Sequence, residues 1–382
     1  MKKFSLIWSY FVINNTMATK PIAFANTGND FFNELRSAVD NYFTTNKISK
    51  NGNMLLWSKT AFALIVTPIL VVLALNIPAV GIEMPIWGSV LLFVLIGQMH
   101  TFTGFNVMHD ACHGAFSSKG WVNKLFGNSL SLMGSHAFIW KFKHNTLHHT
   151  WTNVDGLDDD IAKAPILRHC ESQPFKPYHK NQHLYMFPLY GISIIFWMYA
   201  NDFMKYFNKA VNEQPMPKMS FTEHLIFWTA KVCYTAIYVV APMYFLGIGY
   251  GFLCYMAMQI SMGIVLSLVF QLAHAVETTH FEDAAQYDIP KERLPNEWAV
   301  HQVMTTNNFA TKSAFATWFM GGLNFQTEHH LFPAISHVHY PALNKILVPL
   351  CEKYNVKYNE MPTFSGAVAS HVRYMKSLGE AA

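Results

Sequence analysis

The chain has 382 residues, 52% hydrophobic and only 13% charged, about half the charged share of an ordinary soluble domain, which argues against a single soluble globule. A net charge of +4, dispersed along the chain, leaves no footprint for nucleic acid. Five widely spaced cysteines, none in a C-x-x-C pair, indicate neither a disulfide framework nor a thiolate zinc site, whereas 19 histidines against 27 Lys plus Arg place the chemistry with histidine.

No linker, repeat or low-complexity tract divides the chain, so one integrated body is expected. At the N-terminus, Lys2 and Lys3 precede an apolar stretch like that of a short signal peptide, but no small-residue cleavage site follows. Residues 1–16 therefore also read as an upstream extension, with Met17 as the start. Residues 28–50 carry a helical pattern on Phe31, Phe32, Leu35, Val39 and Phe43, expected as a cytoplasmic surface helix within the N-terminal segment 1–59.

No Lys or Arg lies between Lys59 and Lys119 or between Lys231 and Lys291. The first block holds two apolar runs, about 60–82 and 86–108, separated around Pro78, Gly81 and Glu83. The second is free of Asp, Glu, Lys and Arg for 45 residues from Val232 to Val276, and reads as spans of about 232–248 and 251–273 joined near Gly247, Gly249 and Gly251. Each run is of the order of the ~20 apolar residues that cross a bilayer. The predicted fold is an all-α integral membrane protein: four transmembrane helices in two hairpins, with a helical cap on the cytoplasmic side. The positive-inside rule assigns the connections that lack Lys and Arg to the other side. Residues 184–201, rich in Tyr and Trp and interrupted by Pro188 and Gly191, are expected to lie in the interface. Lys231, heading a span, is expected to snorkel.

Histidines cluster where the spans end. His109 and His113 in HDACHG are four apart, so a continuing helix aims both rings at one point. In HNTLHH, His144 and His148 share a face, while His149 is turned about 100° further and could reach a second metal. Gln326, His329 and His330 in QTEHH form a third stripe, and His274 ends the fourth span. One such pair is often a surface feature; three clusters and His274 converging on one membrane face point to a site. Eight histidines suffice for two metals with open positions for oxygen, and a nitrogen-rich, thiolate-free set suits iron, copper or zinc, with iron favoured for redox chemistry. Ligating rings also want carboxylate partners, for which Asp110, Asp155, Asp158, Asp160, Glu277 and Glu328 are candidates by proximity. His301, His337 and His339 are read as structural hydrogen-bonders.

The boxes HDACHGAF, HNTLHHTWTNVDGLDDDI and QTEHHLFP resemble the three histidine boxes of the membrane fatty acid desaturases, in matching order and over about residues 31–358. The resemblance implies a desaturase domain over 60–382 and two iron ions held by His109, His113, His144, His148, His149, His329 and His330, with His274 matching a further family ligand. It implies O2 as co-substrate and a fatty acyl substrate, on CoA or on a lipid. Gln326 resembles the front-end subgroup, which inserts a double bond between an existing one and the carboxyl end. An amide is a poor iron ligand, so Gln326 is expected to ligate directly, to act through a water or to bond a ligand ring. The chain lacks the His-Pro-Gly-Gly motif of fused haem domains and is closer to bacterial linoleoyl-CoA desaturase-like proteins. Location in a bacterial inner membrane follows, with the active site on the cytoplasmic face. So does a separate electron carrier, a ferredoxin or a haem protein of the cytochrome b5 type, with its reductase. Two rivals remain at this point: a related di-iron membrane hydroxylase or oxygenase, and a membrane haem cytochrome or metal transporter.

Overall fold

The computed structural model describes residues 22–77, 81, 84–161, 166–289 and 291–380; the start at Met17, segment 1–16 and the expected turn at Glu83 lie outside them. Helix α1 (Asp30–Asn46) buries Phe31, Leu35, Val39 and Phe43, one residue per turn, so the pattern seen in the sequence is the stripe that this helix turns inward. Among the described residues, four helices are long and apolar enough to cross a membrane: Met54–Ala74 (α2), Ile86–Cys112 (α3), Phe221–Leu246 and Ile248–His274.

Two of these helices begin well before the spans expected from the sequence, for one physical reason. Helix α2 starts at Met54, with the Asn53 side chain accepting from the Leu55 N–H at 3.0 Å, rather than near residue 60. Lys59 does not mark the membrane edge because it is only 2% exposed: its Nζ donates to Asn106 Oδ1 at 2.8 Å and lies 3.1 Å from His337 Nε2. The third apolar helix starts at Phe221, capped by Ser220, rather than near 232. Lys231 does not snorkel either. It is buried, 2.7 Å from Asp202 Oδ2 and from the carbonyl oxygens of Gly134 and Met198. A paired, hydrogen-bonded lysine can stay inside, where an unpaired one would cost several kcal/mol.

Helix α3 continues through a π-helical turn, Gly104–Met108, directly into His109. Further along, Ala137–Lys141 runs into a second π-helical turn, Phe142–His148; together they form α4 (137–148). The segment expected in the interface is helical, with α5 (Gln182–Phe196) continuing as a turn to Asn201. Helices α6 (Phe221–Leu246) and α7 (Ile248–His274) are separated by Gly247 alone, whose φ of 85° suits a residue without Cβ. Helix α5 lies tightly along α7, because a Cβ on Gly263 would fall 2.4 Å from the Tyr190 carbonyl oxygen.

Beyond α7 come α8 (Trp298–Thr305), α9 (Gln326–Leu331), α10 (Tyr340–Lys353) and α11 (Phe364–Glu380). The buried stripe of α1 shares a core with Ala299 and Val303 of α8, Leu331 of α9, and Leu343 and Leu347 of α10. Among the described residues, strands are confined to two-residue pairings. In one of them Val154–Asp155 runs parallel to Glu282–Asp283, tying the loop after α4 to the segment after α7.

Candidate metal centre

Four segments deliver histidines to one buried place. His109 and His113 come from the end of α3, and His144, His148 and His149 from the π-helical turn of α4. His274 is the last residue of α7, while His329 and His330 lie on α9, whose six residues are all buried. π-Helical turns often mark functional sites. Here the wider turn places His149 five residues after its hydrogen-bond acceptor, the His144 carbonyl, at 3.0 Å.

The rings form two neighbouring groups. His109, His113, His144 and His329 bring one nitrogen each within 4.8 Å of one another, and so do His148, His274 and His330. We term these the first and second positions. His149 lies between them: it forms a further group with His329 and His330, and its Nε2 is 3.2 Å from His144 Nε2. His144 and His148 share a face, stacked with centroids 5.1 Å apart and planes at 22°; they fall in the first and second positions respectively, and together with Asp160 they form a further group. The sequence reading placed His144 and His148 on one face and turned His149 towards a second metal.

Hydrogen bonds on the outer edge fix which nitrogen faces the centre. His148 Nδ1 donates to Asp158 Oδ2 at 2.9 Å, and His144 Nδ1 lies 3.4 Å from Asp160 Oδ2. His330 Nδ1 donates to Gln302 Oε1 at 2.9 Å, and His329 Nδ1 is 3.1 Å from the Tyr340 hydroxyl. The Nε2 atoms of His113, His148 and His329 are buried without a protein partner. An inward, unpartnered imidazole nitrogen is costly to bury unless something binds it. The Gln326 amide sits at the second position, its Nε2 2.9 Å from His274 Nε2 and 3.2 Å from His330 Nε2.

Burial, and after it the neighbouring rings, push His113, His149, His329 and His330 well below the ordinary imidazole pKa. Burial takes His144 down to about 4, against the opposing pull of Asp160. Neutral imidazoles with inward lone pairs are what a transition metal requires. The walls around them are apolar: Trp140 stacks on His144 at 4.3 Å, and Phe270 packs against His148 and His274 at 5.3 and 4.9 Å.

Of the six carboxylates expected to support the rings, Asp158 and Asp160 are the two whose oxygens meet them. Asp110 instead accepts from Ser336 and from the His337 backbone N–H. Asp155 accepts from Ser172 and Gln173, and Glu277 pairs with Arg373 and Ser370 near the surface. Glu328, although adjacent to His329, accepts from Asn308 and Asn344, and burial raises it to about 7. For Asp110 and Glu328, proximity in sequence misled because adjacent residues of a helix leave it about 100° apart. His301 bonds the Thr152 carbonyl at 2.7 Å, and His339 lies 3.3 Å from the Asn51 carbonyl. Gln302, Thr152, Tyr340 and Trp140 belong to the site and were not singled out: Gln302 and Tyr340 come from distant segments and leave no spacing signal, whereas Trp140 and Thr152 lie four residues from His144 and His148, a spacing that could have found them.

A family model for fatty acid desaturases matches residues 85–362. The chain is 32% identical over 352 residues to an sn-1 linoleoyl-lipid 6-desaturase of Arthrospira platensis, covering 91% of this chain and 92% of that protein. It is 31% identical over 355 residues to the sn-1 linoleoyl-lipid 6-desaturase of a Synechocystis species, with 91% and 95% covered. Similarity extends to an acyl-lipid (8-3)-desaturase of Physcomitrium patens, 32% identical over 358 residues, with 92% and 72% covered.

Proposed function

This chain belongs to the fatty acid desaturase family, and from that premise we propose that it is a di-iron, front-end desaturase acting on acyl chains esterified to membrane lipid. As a desaturase it is an oxidoreductase of lipid metabolism. The net reaction converts a –CH2–CH2– unit, O2, two electrons and two protons into –CH=CH– and two waters. The observation that carries the iron reading is the pair of adjacent imidazole groups with unpartnered inward nitrogens. His109, His113, His144 and His329 would hold one iron, and His148, His274 and His330 the other. His149 stands between them, and Gln326 beside the second. Bound iron would supply the oxidant that O2 becomes on reduction, strong enough to take hydrogen from unactivated carbon.

The protein's own residues do the remaining work. Asp158, Asp160, Gln302 and Tyr340 hold the ring nitrogens inward. Trp140 and Phe270 keep the surroundings dry, which suits an acyl chain and excludes competing water. Position along the chain, set by where the lipid rests, selects the bond to be oxidised. Two helix hairpins with both termini cytoplasmic would put the centre at the cytoplasmic surface of a bacterial inner membrane, beneath a helical cap. The lipid-linked substrate and front-end outcome are supported by the names of the relatives and by Gln326.

The test is expression in a host that accumulates linoleate, with lipid classes separated before mass spectrometry. The expected product is two hydrogens lighter, with the new bond between the existing ones and the carboxyl end, appearing first in glycerolipid. A product one oxygen heavier would make the enzyme a hydroxylase, and first appearance in acyl-CoA would overturn the lipid assignment.

A further inference from the structure

We infer that Thr152 and Asn153 are positioning residues that hold the three histidines of the second position as one unit and leave the first position to other supports. The inference rests on the reading of the two histidine groups as metal positions.

Asn153 is fully buried and sits in the left-handed backbone region at φ 56°, a conformation that glycine and asparagine tolerate best. Its backbone N–H donates to Asp158 Oδ2 at 3.0 Å, the same oxygen that accepts from His148. Its side-chain Nδ2 donates to the His274 carbonyl oxygen at 2.8 Å, with the carbonyls of His280 and Thr305 at 3.1 and 3.2 Å. One residue thus braces the partner of His148 and the backbone of His274. Its neighbour completes the set. The Thr152 hydroxyl lies 2.7 Å from both the His148 carbonyl and Gln302 Oε1, and 3.1 Å from His330 Nδ1.

The reason the chain needs such a residue is the end of α7. The last carbonyls of a helix have no partner within it and, when buried, must find one elsewhere. Asn307 serves Leu272 through its side chain and Ala273 through its backbone, and His371 serves Ala275. Asn153 serves His274, the residue whose ring faces the centre. The first position lacks this hub: the partners on its rings are Asp160 for His144 and Tyr340 for His329. One link joins the two sets of supports, the Asp160 backbone N–H that donates to Asp158 Oδ1 at 2.8 Å; the direct contacts of the hub are with the second position, so it acts mainly there.

The experiment is a cobalt(II) titration of full-length, metal-stripped protein in detergent, followed by visible ligand-field absorption and by metal counting. Wild type should fill in two phases. Asn153→Gly retains the backbone conformation and removes only the amide donors; Asn153→Asp turns a carboxylate toward three carbonyl oxygens. In both, the phase belonging to the second position should weaken at least tenfold, more in Asn153→Asp, while the other phase, reached only through Asp158 and Asp160, weakens much less. Tyr340→Phe should give the converse pattern. Retention of one phase is the control for folding. Two unchanged phases in both Asn153 variants, or equal weakening of both phases, overturns the inference. If wild type shows a single phase, the two-metal reading has failed by itself, and an unchanged single phase in Asn153→Asp also overturns the hub.

Discussion

His148 and Asp158 meet at 2.9 Å with both side chains fully buried, so this carboxylate fixes the tautomer of the ring that stands between α4 and the end of α7. Asp158→Asn should lower metal affinity by about 10–100-fold, read from equilibrium dialysis against a chelator. His148→Ala or His330→Ala removes a ligand outright and should abolish product in the expressing host. Full activity in both histidine variants would rule out the centre as described.

The Lys231 and Asp202 pair offers a test of how charge is carried inside the helix bundle. Removing one partner, as in Lys231→Met, should cost about 3–5 kcal/mol by stranding the other charge. The double variant Lys231→Met with Asp202→Leu should recover most of that loss, because two fitted apolar side chains avoid the desolvation penalty altogether. Detergent-solubilised thermal unfolding of the single and double variants measures the difference. Equal destabilisation by the double variant would show that the pair contributes attraction beyond mutual neutralisation.

Stability should fall in acid through buried histidines that are not among the candidate metal ligands. Burial lowers His301 and His371 to about 4, as it does His136. An unfolded chain binds these protons near pH 6.5 and the folded chain only near 4. The unfolded state therefore holds more protons in that window, and stability is lost as pH drops from about 6.5 to about 4. Each group can contribute up to about 3 kcal/mol. His371→Gln should flatten the dependence of unfolding temperature on pH; an unchanged slope would remove His371 from the account.

Sidedness can be read by labelling. Single cysteines at the exposed positions Gly249 and Thr146, in a background free of other cysteines, should react with an impermeant thiol reagent from opposite sides of sealed vesicles. Reaction from the same side would invalidate the four-crossing arrangement.

A separate electron carrier is the expected source of the reducing equivalents. Substrate, O2 and NAD(P)H alone should give no product, and addition of a small carrier with its reductase should restore turnover. If docking is electrostatic, the rate should fall as salt rises. Sustained turnover without a carrier would mean that the chain holds its own reductase.

The clustering of the histidines was legible because residues on one helix face repeat at three and four, and His274 because it closes an apolar run. The helix starts were not. Lys59 and Lys231 look like membrane boundaries in sequence, and only their distant partners, Asn106 and Asp202, show why the helices pass through them. The division of the boxes between two positions was hidden for a related reason: a π-helical turn shifts ring directions without changing residue spacing. Asn153 and Gln302 could not be found at all, since an uncharged amide that meets backbone or side chains from another segment, as Asn153 meets the His274 carbonyl and Gln302 the His330 ring, has no periodicity.

The first position draws His109, His113, His144 and His329, and the second draws His148, His274 and His330, so each joins residues that precede α6 to residues that follow it. Neither ligand set exists until synthesis has passed His330 and both intervening apolar helices have been placed. A ribosome-bound chain stopped before α9 offers incomplete, competing groups of imidazoles that any divalent ion could occupy. On the di-iron reading, neither position could be completed before the chain is nearly finished, so the order of synthesis itself would set when both irons can be held.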